Sequence, residues 1–131
     1  MISLMTYVRY REAWPCLQAL HNLQPLCSIW FRVAINEVVT GSTSTYLNFG
    51  DSGFNYIVPW GEYKGGGLVL WQLKIVVELE PGDAFFFIGS LIAHNVGKIE
   101  GVQNSINLFC HTNILSWKDK YDKERRGESL N

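Results

Sequence analysis

The feature that most constrains this chain is a series of short β-type runs separated by glycine and proline turns, with no helical pattern between them. Strand-forming residues fill positions 54–60, 68–71, 74–80, 84–88 and 103–111. The intervening turns include Gly65-Gly66-Gly67 and Pro81-Gly82-Asp83, which permit the tight reversals of antiparallel strands. Residues 26–39 add an alternating apolar pattern of period two. This arrangement predicts a mainly β, antiparallel fold of the sandwich or jelly-roll type.

Helical patterns are confined to the two ends of the chain. Residues 6–23 follow helical spacing, although Pro15 should start or kink the helix. The charged tail 117–131 is also predicted to be helical before it frays. A length of 131 residues suits one domain. We therefore expect a single jelly-roll domain over residues 1–131, with a β core at 26–115 and short flanking helices.

Composition excludes several classes of function. The net charge of -1 provides no basic face for nucleic acid. Three cysteines, an odd number without CxxC spacing, indicate neither a disulfide framework nor a zinc knuckle. No run approaches a signal peptide or the about 20 apolar residues of a membrane span. These features predict an intracellular protein, cytoplasmic or nuclear, that does not enter a membrane.

The order of segments resembles a known family. Asn36, a Thr/Ser-rich loop, GFNYIVPWGEYKGG (53–66), LVLWQLKIVVELEPGD (68–83), His94 and GVQNSINLFCH (101–111) occur in sequence. Together they resemble the double-stranded β-helix (jelly-roll) domain of Fe(II)/2-oxoglutarate-dependent dioxygenases, over residues 26–118. The nearest likeness is to the TET/JBP-like branch expanded in basidiomycete fungi. A Pro-Gly-Asp turn followed about ten residues later by a histidine is also similar to cupins.

The resemblance implies an iron site, and this sequence departs from it. The family holds Fe(II) with a His-x-Asp pair and a distal histidine, which leaves coordination positions open for 2-oxoglutarate and O2. The distal histidine matches His94, whereas the His-x-Asp pair falls on Tyr46 and Asn48. A neutral asparagine amide is a poor ligand for Fe(II). A shift of register would make Asp51 the alternative carboxylate ligand.

The position that the resemblance assigns to 2-oxoglutarate has also changed. Family members carry an arginine about nine residues after the distal histidine and two before a serine, and its guanidinium pairs with the carboxylate of 2-oxoglutarate. The matching residues are Gln103 and Ser105. Glutamine can donate a hydrogen bond but brings no charge, so we expect 2-oxoglutarate binding to be lost.

Each candidate residue also has a structural interpretation. His94 can be a hydrogen-bonded pocket histidine, and His111 can be a structural residue at a strand end. Trp60, Trp71 and the phenylalanines at 85–87 are predicted to lie in the core, and Cys110 is predicted to be a buried packing residue.

Two functional hypotheses follow. The first is a catalytically degenerate dioxygenase-like domain, kept as a binding module or as a remnant of a larger fungal protein, with no cofactor. The alternative is an active Fe(II)/2-oxoglutarate dioxygenase that acts on a modified nucleobase, with a non-standard ligand set that includes Asp51 and His94. Nucleic acid is an expected partner only for the enzyme. Apolar surface left uncovered by a short N-terminal segment favours a homodimer.

Overall fold

The computed structural model describes residues 4–22, 29–40 and 53–128. Antiparallel strands form two sheets, and one helix lies at each end of the described chain. In chain order the elements are α1 (Leu4–His21), β1 (Arg32–Val39), β2 (Asn55–Gly65), β3 (Leu68–Leu70), β4 (Ile75–Val77), β5 (Phe85–Phe87), β6 (His94–Val96), β7 (Ile99–Phe109) and α2 (Thr112–Arg125). The mainly β, antiparallel architecture predicted from the turn spacing is confirmed.

Within the described ranges, the larger sheet has four strands in the order β1-β7-β2-β5. Its two long central strands pair over their full length, from Tyr56 opposite Leu108 to Gly65 opposite Ile99. Both helices cover one face of this sheet. Tyr10 of α1 and Leu115 of α2 pack there with Leu108 and the fully buried Cys110. Cys110 is therefore a packing residue, as its apolar strand predicts.

The opposite face of the larger sheet meets the smaller sheet, whose order is β4-β3-β6. Leu68 and Leu70 of β3 are buried against Phe87 of β5, with Ile57 at the border of the cluster. Because side chains alternate along a strand, each central strand has one face toward the helices and one toward the smaller sheet. On β2, Tyr56 faces the helices and Ile57 faces the smaller sheet.

Strand β2 extends beyond the strand predicted at 54–60 and continues through Gly61 to Gly65. The backbone of Gly61 has a φ of +123°, and a Cβ there would lie 2.3 Å from the carbonyl oxygen of Val102. Gly101 on β7 has the reciprocal close approach, with its Cβ position 2.3 Å from the carbonyl oxygen of Glu62. These two glycines allow the backbones of β2 and β7 to approach closely, so that the two strands stay paired in one register through this segment. The reversal to β3 occurs after Gly65 instead.

Helix α1 contains Pro15 in its interior, so of the two predicted roles of this proline, starting or kinking the helix, the first is wrong. Two further expectations differ from the structure. Helix α2 begins at Thr112, before the predicted tail, and His111 caps it by accepting a hydrogen bond at Nδ1 from the backbone N–H of Asn113. Among the aromatics predicted to be core, three are largely exposed, namely Trp60 (40%), Trp71 (54%) and Phe86 (43%). Neither helix of the described chain is long and apolar enough to cross a membrane.

Candidate functional site

A cavity of about 610 Å³ opens between the two sheets. Its apolar walls come from β1, β2, β3 and β5, and its polar groups come from β1, β6 and β7. Its lining includes Ile57, Leu68, Phe87, His94, Ser105 and Asn107. Polar and apolar side chains contribute about equally to this lining, and a cleft in which polar groups converge on an apolar wall is a candidate small-molecule site.

His94 is held in the cavity wall by a backbone hydrogen bond. It is the first residue of β6 and pairs with Leu70 of β3. Its Nδ1 lies 2.8 Å from the carbonyl oxygen of Ile92, and its ring meets the ring of Phe87 edge to face at 4.8 Å. A carbonyl oxygen can only accept, so Nδ1 carries the hydrogen and Nε2 keeps its lone pair in the neutral ring. This is the arrangement in which a histidine serves as a metal ligand or as a hydrogen-bond acceptor.

Strand β7 presents a row of neutral polar side chains on its inner face. Gln103 and Ser105 are both buried, at 4% and 5% exposure, and Asn107 follows them at the same period. The Ser105 hydroxyl accepts a hydrogen bond from Nδ2 of Asn36 at 3.1 Å. Within the described ranges, the buried Oδ1 of Asn107 has no hydrogen-bond partner. A buried acceptor without a partner is unfavourable, and a donor on a bound ligand would satisfy it.

The amide of Gln103 is packed in the corner where β2 turns into β3. A Cβ on Gly66 would lie 2.8 Å from Nε2 and 3.2 Å from Oε1 of Gln103, and Gly66 itself has a φ of +68°. The glycine therefore makes room for this side chain. Gln103 lies two residues before Ser105 on the same face of β7, and Ser105 contributes to the cavity wall.

The mouth of the cavity is shaped by a bulge in β1. The register with β7 shifts between Asn36 and Val39, and Val38 adopts a φ of +51°, which is unusual for a β-branched residue. The backbone N–H of Val38 donates to Oδ1 of Asn104 at 3.0 Å, which holds the bulge against β7. Glu37 within the bulge lines the cavity. It is the only residue with an acidic or basic side chain, apart from His94, among the described lining residues.

The structure brings together three of the residues singled out from the sequence. His94 and Ser105 line the cavity, and Gln103 lies on the same strand face as Ser105. Tyr46, Asn48 and Asp51 lie outside the described residues. The described ranges contain no group of three or more His, Cys, Asp or Glu side chains that could hold a metal ion.

Sequence reasoning missed Asn107, Glu37 and Asn95. Asn107 could have been found from the spacing of Gln103 and Ser105, because in a strand the next side chain on the same face is two positions further along. Asn95 is buried beside His94, and its Oδ1 accepts a hydrogen bond of 2.7 Å from Nε1 of Trp71. The position of Glu37 depends on the β1 bulge, which has no clear sequence signal.

Comparison with known proteins shows the fold. No family model and no curated protein matches this chain. Among solved structures, it is similar to NgTET1 in complex with 5mC DNA, with a TM-score of 0.67 and 20% sequence identity. The match covers 83% of this chain and 42% of that chain, so this chain spans less than half of its length. The two share a fold, as the resemblance to TET/JBP-like proteins predicts.

Proposed function

We propose that this chain is a double-stranded β-helix domain of the TET/JBP-like type, from the fungal branch, that has lost dioxygenase activity and uses its inter-sheet cavity to bind a small uncharged molecule. The alternation of strands between two antiparallel sheets supports the jelly-roll assignment, since β1, β2, β5 and β7 lie in one sheet and β3, β4 and β6 in the other. The fold shared with a TET structure supports the branch.

The observation that carries the proposal is the row Gln103, Ser105 and Asn107 on the inner face of β7. The resemblance assigns the first two positions to 2-oxoglutarate, yet all three side chains are neutral. A dicarboxylate in a partly buried cavity needs a cation close to its carboxylates, because desolvation of unpaired charge is costly. The described lining supplies no lysine or arginine. Amides and a hydroxyl instead suit an uncharged ligand that both donates and accepts hydrogen bonds.

The described residues also do not fit the iron centre of the family. His94 has the geometry of a ligand, with Nδ1 anchored and Nε2 available. One imidazole does not hold Fe(II), which takes two histidines and a carboxylate in this class of enzyme. The sequence places tyrosine and asparagine at the other two positions, 46 and 48. We therefore propose His94 as a hydrogen-bond acceptor for the cavity ligand.

One observation favours the alternative, an active dioxygenase that oxidises a modified nucleobase. The hydrogen bond from Nδ1 of His94 to the backbone is the support that metal-bound histidines commonly have. Asp51 would then supply the carboxylate, with Fe(II) and 2-oxoglutarate as cofactors and nucleic acid as substrate. The NgTET1 structure is a complex with 5mC DNA, which makes a methylated base the first substrate to try.

A turnover assay separates the two functions. The full chain is incubated with Fe(II), ascorbate, O2 and 2-oxoglutarate, with and without DNA that contains 5-methylcytosine, and succinate is measured. We expect no succinate above a heat-treated control, because the 2-oxoglutarate position lacks its positive charge. Succinate that disappears in His94→Ala and in Asp51→Asn would overturn the proposal in favour of the enzyme. The Glu80→Gln variant serves as the matched control, since Glu80 is exposed and distant in sequence from both.

A further inference from the structure

Strand β4 is an exposed and apolar edge of the smaller sheet. It pairs with β3 on one side, and the described strand order β4-β3-β6 leaves its other side at the end of the sheet. Ile75 is 46% exposed and Val76 is 58% exposed. The strand contains no proline and no charged residue. Natural edge strands often carry such residues, which prevent pairing with another chain.

The charged residues that flank β4 are complementary to each other. Lys74 precedes the strand and Glu78 follows it, and both are exposed. In an antiparallel pair of two identical strands centred on Val76, Glu78 of each copy stands opposite position 74 of the other, where Lys74 closes the turn between β3 and β4 with a φ of +53°. Ile75 then stands opposite Val77, and Val76 opposite Val76. The same segment thus supplies both halves of a self-complementary surface, as an interface with two-fold symmetry requires.

We propose that β4 is a homodimerisation edge, through which two copies of this chain join their smaller sheets, described as β4-β3-β6 in each copy, into one continuous antiparallel sheet. Main-chain hydrogen bonds between the two β4 strands would hold the copies together, as they do when a strand is added to the edge of a sheet. The two Lys74–Glu78 pairs would fix the register, because opposite charges that face each other across strands are favourable and like charges are not.

The pattern of faces selects this register among its neighbours. Val77 and Ile75 pair with the inward Leu68 and Leu70 of β3, so the odd-numbered residues of β4 face inward and Val76 faces outward. Joining two copies with their inner faces on the same side requires odd residues opposite odd ones. Centring on Val77 would set Val76 against Glu78, and centring on Ile75 would set Lys74 against Val76. Centring on Val76 keeps apolar residues together and charges together.

Sedimentation equilibrium on the full chain, at low ionic strength and over a wide concentration range, tests the edge. We expect a dimer whose dissociation constant rises with salt, since the flanking pairs are exposed. Lys74→Glu and Glu78→Lys should each raise the dissociation constant about tenfold or more. Each change places like charges opposite each other in both 74–78 pairs of the dimer. An equimolar mixture of the two variants should restore dimers, because the heterodimer has both pairs opposite in charge.

Glu80→Lys is the matched control, since it makes the same change of charge two residues beyond Glu78. It should leave the dissociation constant within about twofold of the parent, as expected for a surface charge outside the interface. Circular dichroism and thermal melts should show that all variants keep the fold. A monomeric parent, single variants that dimerise as the parent does, or a mixture that stays monomeric would each overturn the proposal. If Glu80→Lys raises the dissociation constant as much as Glu78→Lys does, the proposed register is wrong.

Discussion

The Nδ1 atom of His94 lies 2.8 Å from the carbonyl oxygen of Ile92, two residues earlier in the chain. This short-range contact sets the tautomer of the histidine in the cavity wall, since the carbonyl requires a hydrogen on Nδ1. It also fixes the direction of the ring, which the edge-to-face contact with Phe87 supports from the side. In the neutral ring, Nε2 is therefore the nitrogen of His94 that keeps its lone pair.

Opposite tautomers are predicted for His94 and His111. His94 donates from Nδ1 to a carbonyl, whereas Nδ1 of His111 accepts from the backbone N–H of Asn113 at 3.2 Å. At mildly alkaline pH, where imidazoles are neutral, nitrogen chemical shifts of labelled histidine should show a hydrogen on Nδ1 of His94 and on Nε2 of His111. His111 is the internal control. The same tautomer at both sites would contradict the hydrogen bonds described for one of them.

Replacing Gly66 should be more costly than replacing Gly82. Both glycines have positive φ, at +68° and +91°, so alanine is strained at either site. Only at Gly66 would the new Cβ also crowd Gln103, at 2.8 Å from Nε2, whereas nothing lies within 4 Å at Gly82. Urea denaturation should show Gly66→Ala to be less stable than Gly82→Ala by about 1 kcal/mol or more.

The Gln103→Ala background provides the control for that comparison. There the extra cost at Gly66 should shrink, because the crowded amide is gone and the two sites are coupled through it. Equal costs for the two glycines in the parent chain would show that Gln103 does not pack against Gly66.

Leucine should be tolerated at position 107 and not at position 55. The buried Oδ1 of Asn107 has no partner in the described part of the chain, so its removal recovers a desolvation cost. Oδ1 of the fully buried Asn55 accepts from the backbone N–H of Gly89 at 2.9 Å. We expect Asn55→Leu to lower the free energy of unfolding by about 2–3 kcal/mol and Asn107→Leu to change it little or raise it. A large loss in Asn107→Leu would mean that its amide is satisfied.

Much of the fold follows from local signals in the sequence. Short apolar runs separated by glycine turns predict antiparallel sheets, and period-two alternation predicts which faces are buried. The exposed positions of Trp60 and Trp71 could not be predicted this way, because residue type alone does not say whether a neighbouring layer covers a strand. The continuation of β2 through Gly61 depends on the close approach of the Val102 carbonyl of β7, a contact across 41 positions of sequence.

The candidate site is only partly encoded in local pattern. Gln103 and Ser105 were found through a resemblance, and the spacing that joins them to Asn107 extends the row by ordinary strand geometry. Glu37 reaches the cavity through a bulge that places Val38 at positive φ. Valine rarely adopts this conformation, so its presence in the sequence does not predict the bulge. The anchoring of His94 by Ile92 depends on the backbone path before β6, and sequence patterns do not specify it.

We propose above that this chain has lost a metal and cosubstrate site, whose residues would lie at positions 46, 48 and 103. Restoring the family residues at these positions should restore metal binding first, and then 2-oxoglutarate binding that depends on the metal. Tyr46→His with Asn48→Asp would add a histidine and a carboxylate to His94, and Gln103→Arg would add the cation for 2-oxoglutarate. Asp51→Asn in the parent chain is the matched control for the alternative register.

Isothermal titration calorimetry with Zn(II), a redox-silent substitute for Fe(II), and then with 2-oxoglutarate is the most direct test. We predict that the double variant binds Zn(II) at least about tenfold more tightly than the parent, since each added ligand contributes to affinity. The triple variant should bind 2-oxoglutarate only when metal is present. A parent chain that already binds metal as tightly as the double variant, and that loses this binding in Asp51→Asn, would contradict the loss of the site.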